Sequence, residues 1–217
     1  MLPPKIPYNE TNRQKALESY NILDSLEEAE YDEIVNLAAQ ISGKKIALIS
    51  FVDNDRQWFK AKVGLEADQT NRSISFCGHA INTPNDVFIV KDAQNDERFK
   101  DNPLVSGDPN IRFYAGFPLK DEAGFGLGTL CVIDDDKGSL SEEQITGLKT
   151  LSRSIIHLLT LRKNSKLLED KIHEDNLYFA ELKVEANFAK EDPNPVLRLN
   201  ADLTIDKHQQ GHNCFNH

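Results

Sequence analysis

Two pairs of short apolar runs, each pair joined by a turn, most constrain how this chain can fold. The first pair covers residues 46–52 and 57–63, and the turn formers Asn54 and Asp55 lie between its runs. The second pair is separated by a loop that contains glycine and covers residues 113–119 and 127–133. Short runs rich in β-branched and aromatic residues predict β-strands. We therefore predict two antiparallel hairpins, with one further strand over residues 88–90.

Helical patterns flank the hairpins. Thr11 with Gln14, and Ser25 with Glu28, match the capping-box spacing, which predicts that a helix begins at each pair. After the second pair, apolar residues recur at helical spacing as far as Gly43, a natural helix end. Because helices and strands are segregated along the chain, the sequence predicts the α+β class with one antiparallel sheet.

The last helical pattern is unusually long. It begins at a third capping box, Ser141 with Gln144, and continues without proline to about Lys190. Residues 162–190 are polar apart from a narrow apolar stripe, which favours a parallel coiled coil between two copies. The stripe and its N-terminal continuation are Leu151, Leu158, Leu161, Leu168, Ile172, Phe179, Leu182, Ala186 and Ala189. The alternative, a single helix packed on its own domain, stays open because residues 145–161 are apolar enough to pack locally.

A Pro-Asn-Pro sequence that starts at Pro193 ends the helical pattern, since proline lacks the amide that a helix needs. Residues 196–202 then predict a strand and a turn, and the remaining tail does not resemble a completed domain. The sequence therefore predicts a domain over residues 1–161, a coiled-coil helix over 162–190 and a short C-terminal part over 191–217.

Composition narrows the class of partner. The formal net charge of -10 provides no overall basic field for nucleic acid, so we expect none to bind. The longest apolar run, residues 46–52, is far shorter than the roughly 20 residues of a membrane span. The first residues carry no apolar signal-peptide region, which predicts a cytoplasmic protein. Cys77, Cys131 and Cys214 are widely spaced, so we expect reduced thiols.

Six short sequence motifs between residues 20 and 134 follow one another in an order that is typical of one domain family. They are residues 20–25 (YNILDS), 46–50 (IALIS), 56–60 (RQWFK), 75–81 (SFCGHAI), 111–116 (IRFYAG) and 127–134 (LGTLCVID). In this order they resemble a bacterial subfamily of GAF domains, over about residues 11–161. The resemblance implies terminal helices on one face of the sheet and a ligand pocket on the other, covered by the segment between the hairpins. Such domains are common input regions of sensor histidine kinases and diguanylate cyclases, and residues 192–202 resemble the start of a PAS domain.

Aromatic residues and cysteines are the candidates for lining that pocket. Trp58 with Phe59, and Phe113 with Tyr114, alternate along strands, so one of each pair faces the helices and the other the pocket. The sequence leaves open which one does so. The predicted pocket residues are Trp58, Phe76, Cys77, His79, Phe113, Tyr114 and Cys131. The alternative is that these side chains close a small hydrophobic core without a ligand.

Residues of catalytic or metal-binding type form no complete set. Cys77 and His79 are two residues apart in a helix-prone segment and do not share a helix face. Asp134 and Asp136 match the start of a calcium loop that lacks its further acidic ligands. Four arginines could hold an anionic ligand, although ion pairs are the simpler role in an acidic chain. They are Arg56, Arg72, Arg98 and Arg112. We expect no metal site, and the sequence identifies no cofactor.

These observations predict a signal-transduction input module that is not an enzyme by itself. The module senses a small molecule or the state of a protein and transmits the signal through a dimeric helix to a downstream output domain. The alternative is a structural dimerisation module that binds no ligand. A third class, a thiol-dependent enzyme, would require Cys77 for turnover.

Overall fold

A computed structural model describes the backbone of residues 1–191 and the side chains of residues 1–184. The strand and the PAS-like start that the sequence predicts beyond residue 191 lie outside the described residues. So do the side chains of Ala186 and Ala189. The chain divides into two units, Met1–Ser165 and Lys166–His217, which are described separately.

Six strands form one antiparallel sheet in the first unit. They are β1 (Ile46–Val52), β2 (Arg56–Val63), β3 (Gln69–Asn71), β4 (Phe88–Val90), β5 (Phe113–Lys120) and β6 (Gly126–Asp134). The order across the sheet is β3-β2-β1-β6-β5-β4. The predicted hairpins are β1 with β2 and β5 with β6, and pairing of β1 with β6 joins them. The predicted α+β class is therefore confirmed, and only the three-residue β3 was not predicted.

Among residues 1–191, five α-helices accompany the sheet. They are α1 (Glu10–Glu18), α2 (Ala29–Ser42), α3 (Phe76–Ala80), α4 (Pro103–Ser106) and α5 (Glu142–Glu191). The predicted end of α2 is confirmed, because Gly43 adopts the left-handed conformation with a φ of 66°. The capping box of α5 is also confirmed. The Ser141 hydroxyl accepts from the Gln144 amide at 3.2 Å, and the Gln144 side chain accepts from the Ser141 amide at 2.9 Å.

The other two capping boxes are wrong, because their polar side chains bind elsewhere. Helix α1 begins at Glu10, one residue before Thr11, and the Gln14 side chain donates to the Glu10 carboxylate at 2.8 Å. Helix α2 begins at Ala29, and the Ser25 hydroxyl accepts instead from the ammonium of Lys60 at 2.9 Å. Contacts made by the folded chain override the local capping preference in both places.

Two hydrophobic layers cover the two faces of the sheet. The first contains residues of α1, α2 and the first part of α5, such as Leu17, Val35 and Leu148, packed on the sheet. The second contains residues of α3 and of the connecting segments, such as Phe76 and Phe99. All seven residues of β1 are buried because this central strand lies between both layers.

A β-bulge in β2 places two consecutive residues, Lys60 and Ala61, on the helix face. Ile49 pairs with Ala61 while Ser50 pairs with Phe59, so Lys60 is an extra residue on the second strand. Its side chain is fully buried. The alternation of β2 is therefore interrupted after Lys60, and Ala61 packs in the same layer.

The buried ammonium of Lys60 binds the Glu28 carboxylate, which lies just before α2 and also contacts α5. It lies 2.7 Å from the Glu28 carboxylate and 5.1 Å from the centre of the Tyr31 ring. The same oxygen of Glu28 accepts a hydrogen bond of 2.7 Å from Arg162 of α5. One carboxylate therefore serves a cation of the sheet and a cation of the long helix.

The second unit is described through its part of α5. Burial falls sharply before it begins, since Leu159 is fully buried and Leu161 is 63% exposed. Leu168, Ile172 and Phe179 of the predicted coiled-coil stripe are 60%, 52% and 64% exposed. A long helix is confirmed, and the coiled coil stays a prediction. Among the described residues, no helix has both the length and the apolar composition needed to cross a membrane.

Candidate functional site

A cavity of about 100 Å³ lies on the sheet face opposite the helical layer. Its floor includes Leu48 of β1 and Ile133 of β6, which are neighbouring central strands. Its cover includes Phe76 of α3 and Leu104 of α4, both in the segment between the two hairpins. The position matches the one that the resemblance implies for a ligand pocket.

The cavity lining is apolar with a few polar groups. Gln57, Thr70 and Asp108 line it beside leucine, isoleucine and aromatic side chains. The Gln57 side chain already accepts a hydrogen bond from the buried hydroxyl of Ser75, the residue that caps α3. Apolar walls with a few polar groups are typical of small-molecule sites, although their volumes usually lie between about 300 and 1,000 Å³.

Four polar side chains meet at the sulfur of Cys77, on the wall of the cavity. The hydroxyls of Ser50, Thr129 and Tyr114 donate to this sulfur at 3.2, 3.0 and 3.2 Å. The sulfur of Cys131 lies 3.9 Å away. All five side chains are buried, so their polar atoms satisfy one another without water.

This arrangement shifts the pKa values of the two thiols in opposite directions. Burial raises the pKa of Cys77, but the hydrogen bonds from Cys131, Ser50 and Thr129, together with that from Tyr114, outweigh burial and lower it to about 7. The hydrogen bond to Cys77, followed by burial, raises the pKa of Cys131. Burial also raises the pKa of Tyr114. Cys77 is therefore the more acidic thiol of the pair.

The structure brings four of the seven predicted pocket residues together. Phe76, Cys77 and Tyr114 line the cavity. Cys131 lies directly behind Cys77 and does not reach the cavity surface. The rings of Phe76 and Tyr114 lie 5.1 Å apart, so they form one continuous aromatic wall.

Two predicted pocket residues lie on the opposite face of the sheet. Trp58 packs against the helical layer with its ring 6.4 Å from that of Phe51, and Phe113 is buried in the same layer. Their strand neighbours Phe59 and Tyr114 face the cavity instead. The alternation within each pair is confirmed, and the choice of Trp58 and Phe113 as pocket residues is wrong because the strand register places the other member there.

His79 lies on the outer side of α3, away from the cavity. Its Nε2 lies 3.1 Å from the carbonyl of Leu2, so this nitrogen carries the proton. Its ring packs edge-on against Phe99 at 4.9 Å. Burial lowers the pKa of His79, and nearby Arg98 lowers it further. As expected from their spacing, Cys77 and His79 do not share a helix face.

Several cavity residues were not predicted from the sequence. Phe59, Leu48 and Ile133 follow from the alternation in β2, β1 and β6 once one residue of each strand is assigned to a face. Leu104 lies in the four-residue helix α4 and Ile111 in the connection between α4 and β5, and neither segment is long enough to show a periodic pattern. Only a family pattern or the structure itself could have indicated them.

All four arginines that the sequence offers for an anionic ligand are paired with carboxylates. The pairs are Arg56 with Asp24 at 2.6 Å, Arg72 with Glu10 at 2.6 Å, Arg98 with Asp96 at 2.6 Å and Arg112 with Asp92 at 3.0 Å. The ion-pair interpretation is therefore confirmed. None of these arginines lines the cavity.

The acidic segment after β6 also has cationic neighbours. Carboxylate oxygens of Asp134, Asp135 and Asp136 lie within 4.8 Å of one another. Lys44 binds Asp134 at 3.3 Å, and Lys45 binds Asp135. The lysines that follow α2 thus neutralise part of this charge and hold the turn against the start of β1.

Comparison with known proteins identifies a bacterial relative that is similar over most of this chain. It is the cyclic di-GMP phosphodiesterase of Pseudomonas aeruginosa (strain PAO1), which is 41% identical over 171 residues. The match covers 78% of this chain and 29% of the relative. The chain therefore spans less than a third of the length of that protein.

Solved structures share the fold at low sequence identity. The GAF domain of an Acinetobacter phosphoenolpyruvate-protein phosphotransferase is 19% identical with a TM-score of 0.52, over 70% of this chain and 93% of that one. The photosensory core module of a Stigmatella aurantiaca phytochrome is 11% identical with a TM-score of 0.55, over 82% of this chain and 42% of that one. Because residues 27–157 match the family model of the GAF domain, the chain belongs to the GAF domain family.

Proposed function

We propose that this chain is a sensory input module that binds a small molecule in the cavity and transmits its presence through α5. One observation carries the proposal: the cavity and α5 contact opposite faces of the same central strands. Leu48 and Ile133 face the cavity, while their neighbours Ala47 and Val132 belong to the layer that contains Leu148 of α5. Only the thickness of the sheet separates ligand from helix.

Transmission requires that the ligand distinguish two arrangements of the sheet and helix. A ligand that binds both arrangements equally shifts no equilibrium, whatever its affinity. A molecule that separates Phe76 from Tyr114, or displaces Leu48, would press on β1 and β6, and close packing would pass the shift to α5. A ligand that only slightly exceeds the present cavity volume therefore acts by displacing these walls.

The volume of the cavity limits the class of ligand. About 100 Å³ equals the space of about three water molecules, so the site as it stands accepts only a few non-hydrogen atoms. Cyclic nucleotides and bilins exceed this volume several-fold. We infer a small, largely apolar molecule with one or two hydrogen-bonding groups, directed to Gln57, Thr70 or Asp108.

A tryptophan at Leu65 is expected to abolish ligand binding without unfolding the domain. Leu65 is a half-buried cavity residue, so its replacement fills the space while the larger ring keeps access to solvent. The matched control is Leu140→Trp, a half-buried leucine packed on the helical layer. Native mass spectrometry of freshly purified protein, followed by thermal shift against a metabolite panel, measures binding. The proposal is contradicted if Leu65→Trp and Leu140→Trp retain a ligand equally. It is also contradicted if neither these variants nor the unmodified chain (the parent chain) binds any ligand.

The exposed stripe on α5 supports a parallel homodimer as the form that transmits the signal. Leu161, Leu168, Ile172, Phe179 and Leu182 fall on one 3-4 heptad register, which Ser165 and Asp175 interrupt, and each of the five is at least 42% exposed. Leaving such a stripe in water is unfavourable, and a second α5 would bury it. A dimer formed through this stripe would hold the two copies of α5 side by side, so that a shift of one helix could pass to an output domain.

Charged substitutions within the stripe are expected to convert a dimer to a monomer at micromolar concentration. The double change Leu168→Asp and Ile172→Asp places two carboxylates per chain in the predicted seam, which a coiled coil does not accept. The control Leu177→Asp lies outside the seam on an equally exposed residue. Light scattering after size exclusion measures the mass. A monomeric parent chain, or a dimer that survives the double change, rules out this seam.

The similar phosphodiesterase supports an output that is enzymatic and separate from this domain. Because the match covers 29% of that relative, the chain corresponds to a minor part of a longer protein there. We infer that the present chain regulates a catalytic domain rather than performing the reaction. The cytoplasmic location and the division at residues 161 and 190 remain predictions of the same proposal.

A purely structural dimerisation module is the second candidate, and the polar cluster favours it. Cys77, Ser50, Thr129 and Tyr114 bind one another and leave few free groups for a ligand. In that case the stripe on α5 would still dimerise, while the parent chain would retain no molecule and show no thermal shift. The two experiments above therefore separate sensing from dimerisation.

A further inference from the structure

A second cavity, of about 300 Å³, lies on the helical side of the sheet and is separate from the first. Its walls come from the first part of α5, from β5 and from the segment before β4, all within the first unit. Phe117, Pro118 and Ile156 supply a buried or half-buried apolar floor. We call this cavity the α5 cleft. Its volume reaches the lower end of the usual range for small-molecule sites.

Basic side chains surround the α5 cleft. Lys120, Lys149, Arg153 and His157 line it, and Asp86 is the acidic residue of its lining. All five are exposed, so the ammonium groups of Lys120 and Lys149 and the guanidinium of Arg153 can reach a ligand from the solvent side. In a chain with a net charge of -10, this concentration of cations at one cavity is a local reversal of the overall charge.

Arg153 of this group differs from the other described arginines because no carboxylate neutralises it. Six of the seven arginines among residues 1–184 lie within 4.0 Å of a carboxylate, and Arg153 is the exception. Lys120 and Lys149 likewise have no carboxylate partner among those residues, although Lys120 donates to the Asn85 side chain at 2.8 Å. The guanidinium of Arg153 makes one hydrogen bond, to Thr150 at 3.1 Å. Most of its five donors therefore remain for a ligand.

We propose that the α5 cleft binds a small molecule with two or more negative charges, of the phosphate-ester or polycarboxylate type. Arginine and lysine supply the charge-assisted hydrogen bonds that such anions require. Phe117, Pro118 and Ile156 supply a surface for the uncharged part of the molecule. A single negative charge would gain little here, since the surrounding acidic chain repels anions and exposed pairs are screened.

The occupant would contact α5 and the sheet at once. Lys149 and Arg153 lie one turn apart on α5, while Lys120 ends β5. An anion held between them joins the helix to the sheet by bonds that the free protein lacks. The site is therefore placed to change how firmly α5 packs, independently of the cavity on the other face.

Titration calorimetry at low ionic strength tests the proposal on the full chain. The probes are inorganic phosphate, adenosine 5′-monophosphate and citrate, with adenosine as the uncharged control. We expect saturable binding of at least one multiply charged probe, weakened by added salt, and no binding of adenosine. Binding of the phosphates alone identifies a phosphate site, and binding of citrate alone identifies a carboxylate site.

The double change Lys149→Gln and Arg153→Gln is expected to weaken that binding about tenfold or more, because each removes a charge-assisted contact. The matched control is Lys166→Gln, an exposed lysine of the same helix outside the cleft. Leu65→Trp, which fills the first cavity, should leave anion binding unchanged. Circular dichroism checks that each variant is folded. No saturable binding by any anion, or equal weakening in Lys166→Gln, overturns the proposal.

Discussion

Replacement of Glu10 by glutamine is expected to lower the free energy of unfolding by about 3 kcal/mol at neutral pH. The carboxylate of Glu10 lies between two buried guanidinium groups, with Arg13 at 2.8 Å and Arg72 at 2.6 Å. Burial by itself raises the pKa of Glu10, but the hydrogen bonds from Arg13 and Arg72 outweigh it and lower the pKa from 4.5 to about 2. A shift of this size corresponds to about 3 kcal/mol of stability.

The loss is large because Glu10 joins several parts of the fold. Arg13 also donates to the carbonyl of Val52 at the end of β1, and Arg72 donates to that of Asp53 in the following turn. Without the carboxylate, the buried guanidinium groups of Arg13 and Arg72 would have no negative partner. Removing one member of a buried ion pair costs more than replacing the whole pair by apolar residues. Helix α1 and the start of the cavity cover would then lose their common anchor.

The sign of the pH dependence follows from the lowered pKa. A carboxylate whose pKa is lower in the folded state stabilises the protein above its unfolded pKa of 4.5, and that stability is lost as the pH falls towards about 2. Urea unfolding at pH 7 and at pH 3 should therefore show a large gap between the parent chain and Glu10→Gln at pH 7, reduced to less than half at pH 3. The control is Glu18→Gln, an exposed carboxylate at the other end of α1. An equal gap at both pH values, or an equal loss in the control, contradicts this account.

Replacement of Gly128 by alanine is expected to destabilise the fold by about 3 kcal/mol or more. A Cβ at this position would lie 1.9 Å from the carbonyl oxygen of Ser50 and 2.8 Å from the Cα of Phe51. Both are backbone atoms of the neighbouring strand β1, so no side-chain rotation relieves the contact. The strands β1 and β6, which lie between the first cavity and α5, would have to separate.

Gly124→Ala provides the comparison in the same hairpin. A Cβ there meets nothing within 4 Å, but the φ of +89° disfavours any side chain, so a loss of about 1 kcal/mol is expected. Thermal unfolding by circular dichroism measures both variants. Losses of similar size in the two would mean that the backbone contact at Gly128 relaxes easily, contrary to the prediction.

Elements whose patterns are local could be predicted from the sequence. The bounds of β1 and β4 agree with the structure, because short apolar runs between turn formers leave little choice of register or length. The start of α5 was also predictable, since the Gln144 side chain keeps its capping bond through its oxygen while its nitrogen donates to the carbonyls of Ile41 and Ser42. Ser25, in contrast, binds Lys60, which lies 35 residues away in sequence. Gln14 binds Glu10, whose carboxylate is held by an ion pair that exists only in the folded chain.

The candidate site was predictable in its position but not in its detail. Alternation fixes that Trp58 and Phe59 face opposite sides, yet the face of each depends on pairing with β1 and on the bulge at Lys60. The cluster around Cys77 joins residues from α3, β1, β5 and β6, and no spacing in the sequence relates them. The role proposed for the α5 cleft likewise could not be predicted, because only the structure shows that the other described arginines are paired with carboxylates and Arg153 is not.

The shared carboxylate of Glu28 has a consequence for motion of the long helix. If α5 rotates and Arg162 leaves, Glu28 still holds Lys60, and the guanidinium, already 30% exposed, passes into water. Loss of the Arg162 bond therefore leaves no buried charge without a partner, so detachment of α5 at this residue avoids the penalty for separating a buried ion pair. We therefore expect that a small displacement of α5 can break the bond between Arg162 and Glu28, and that the bond can form again when the helix returns.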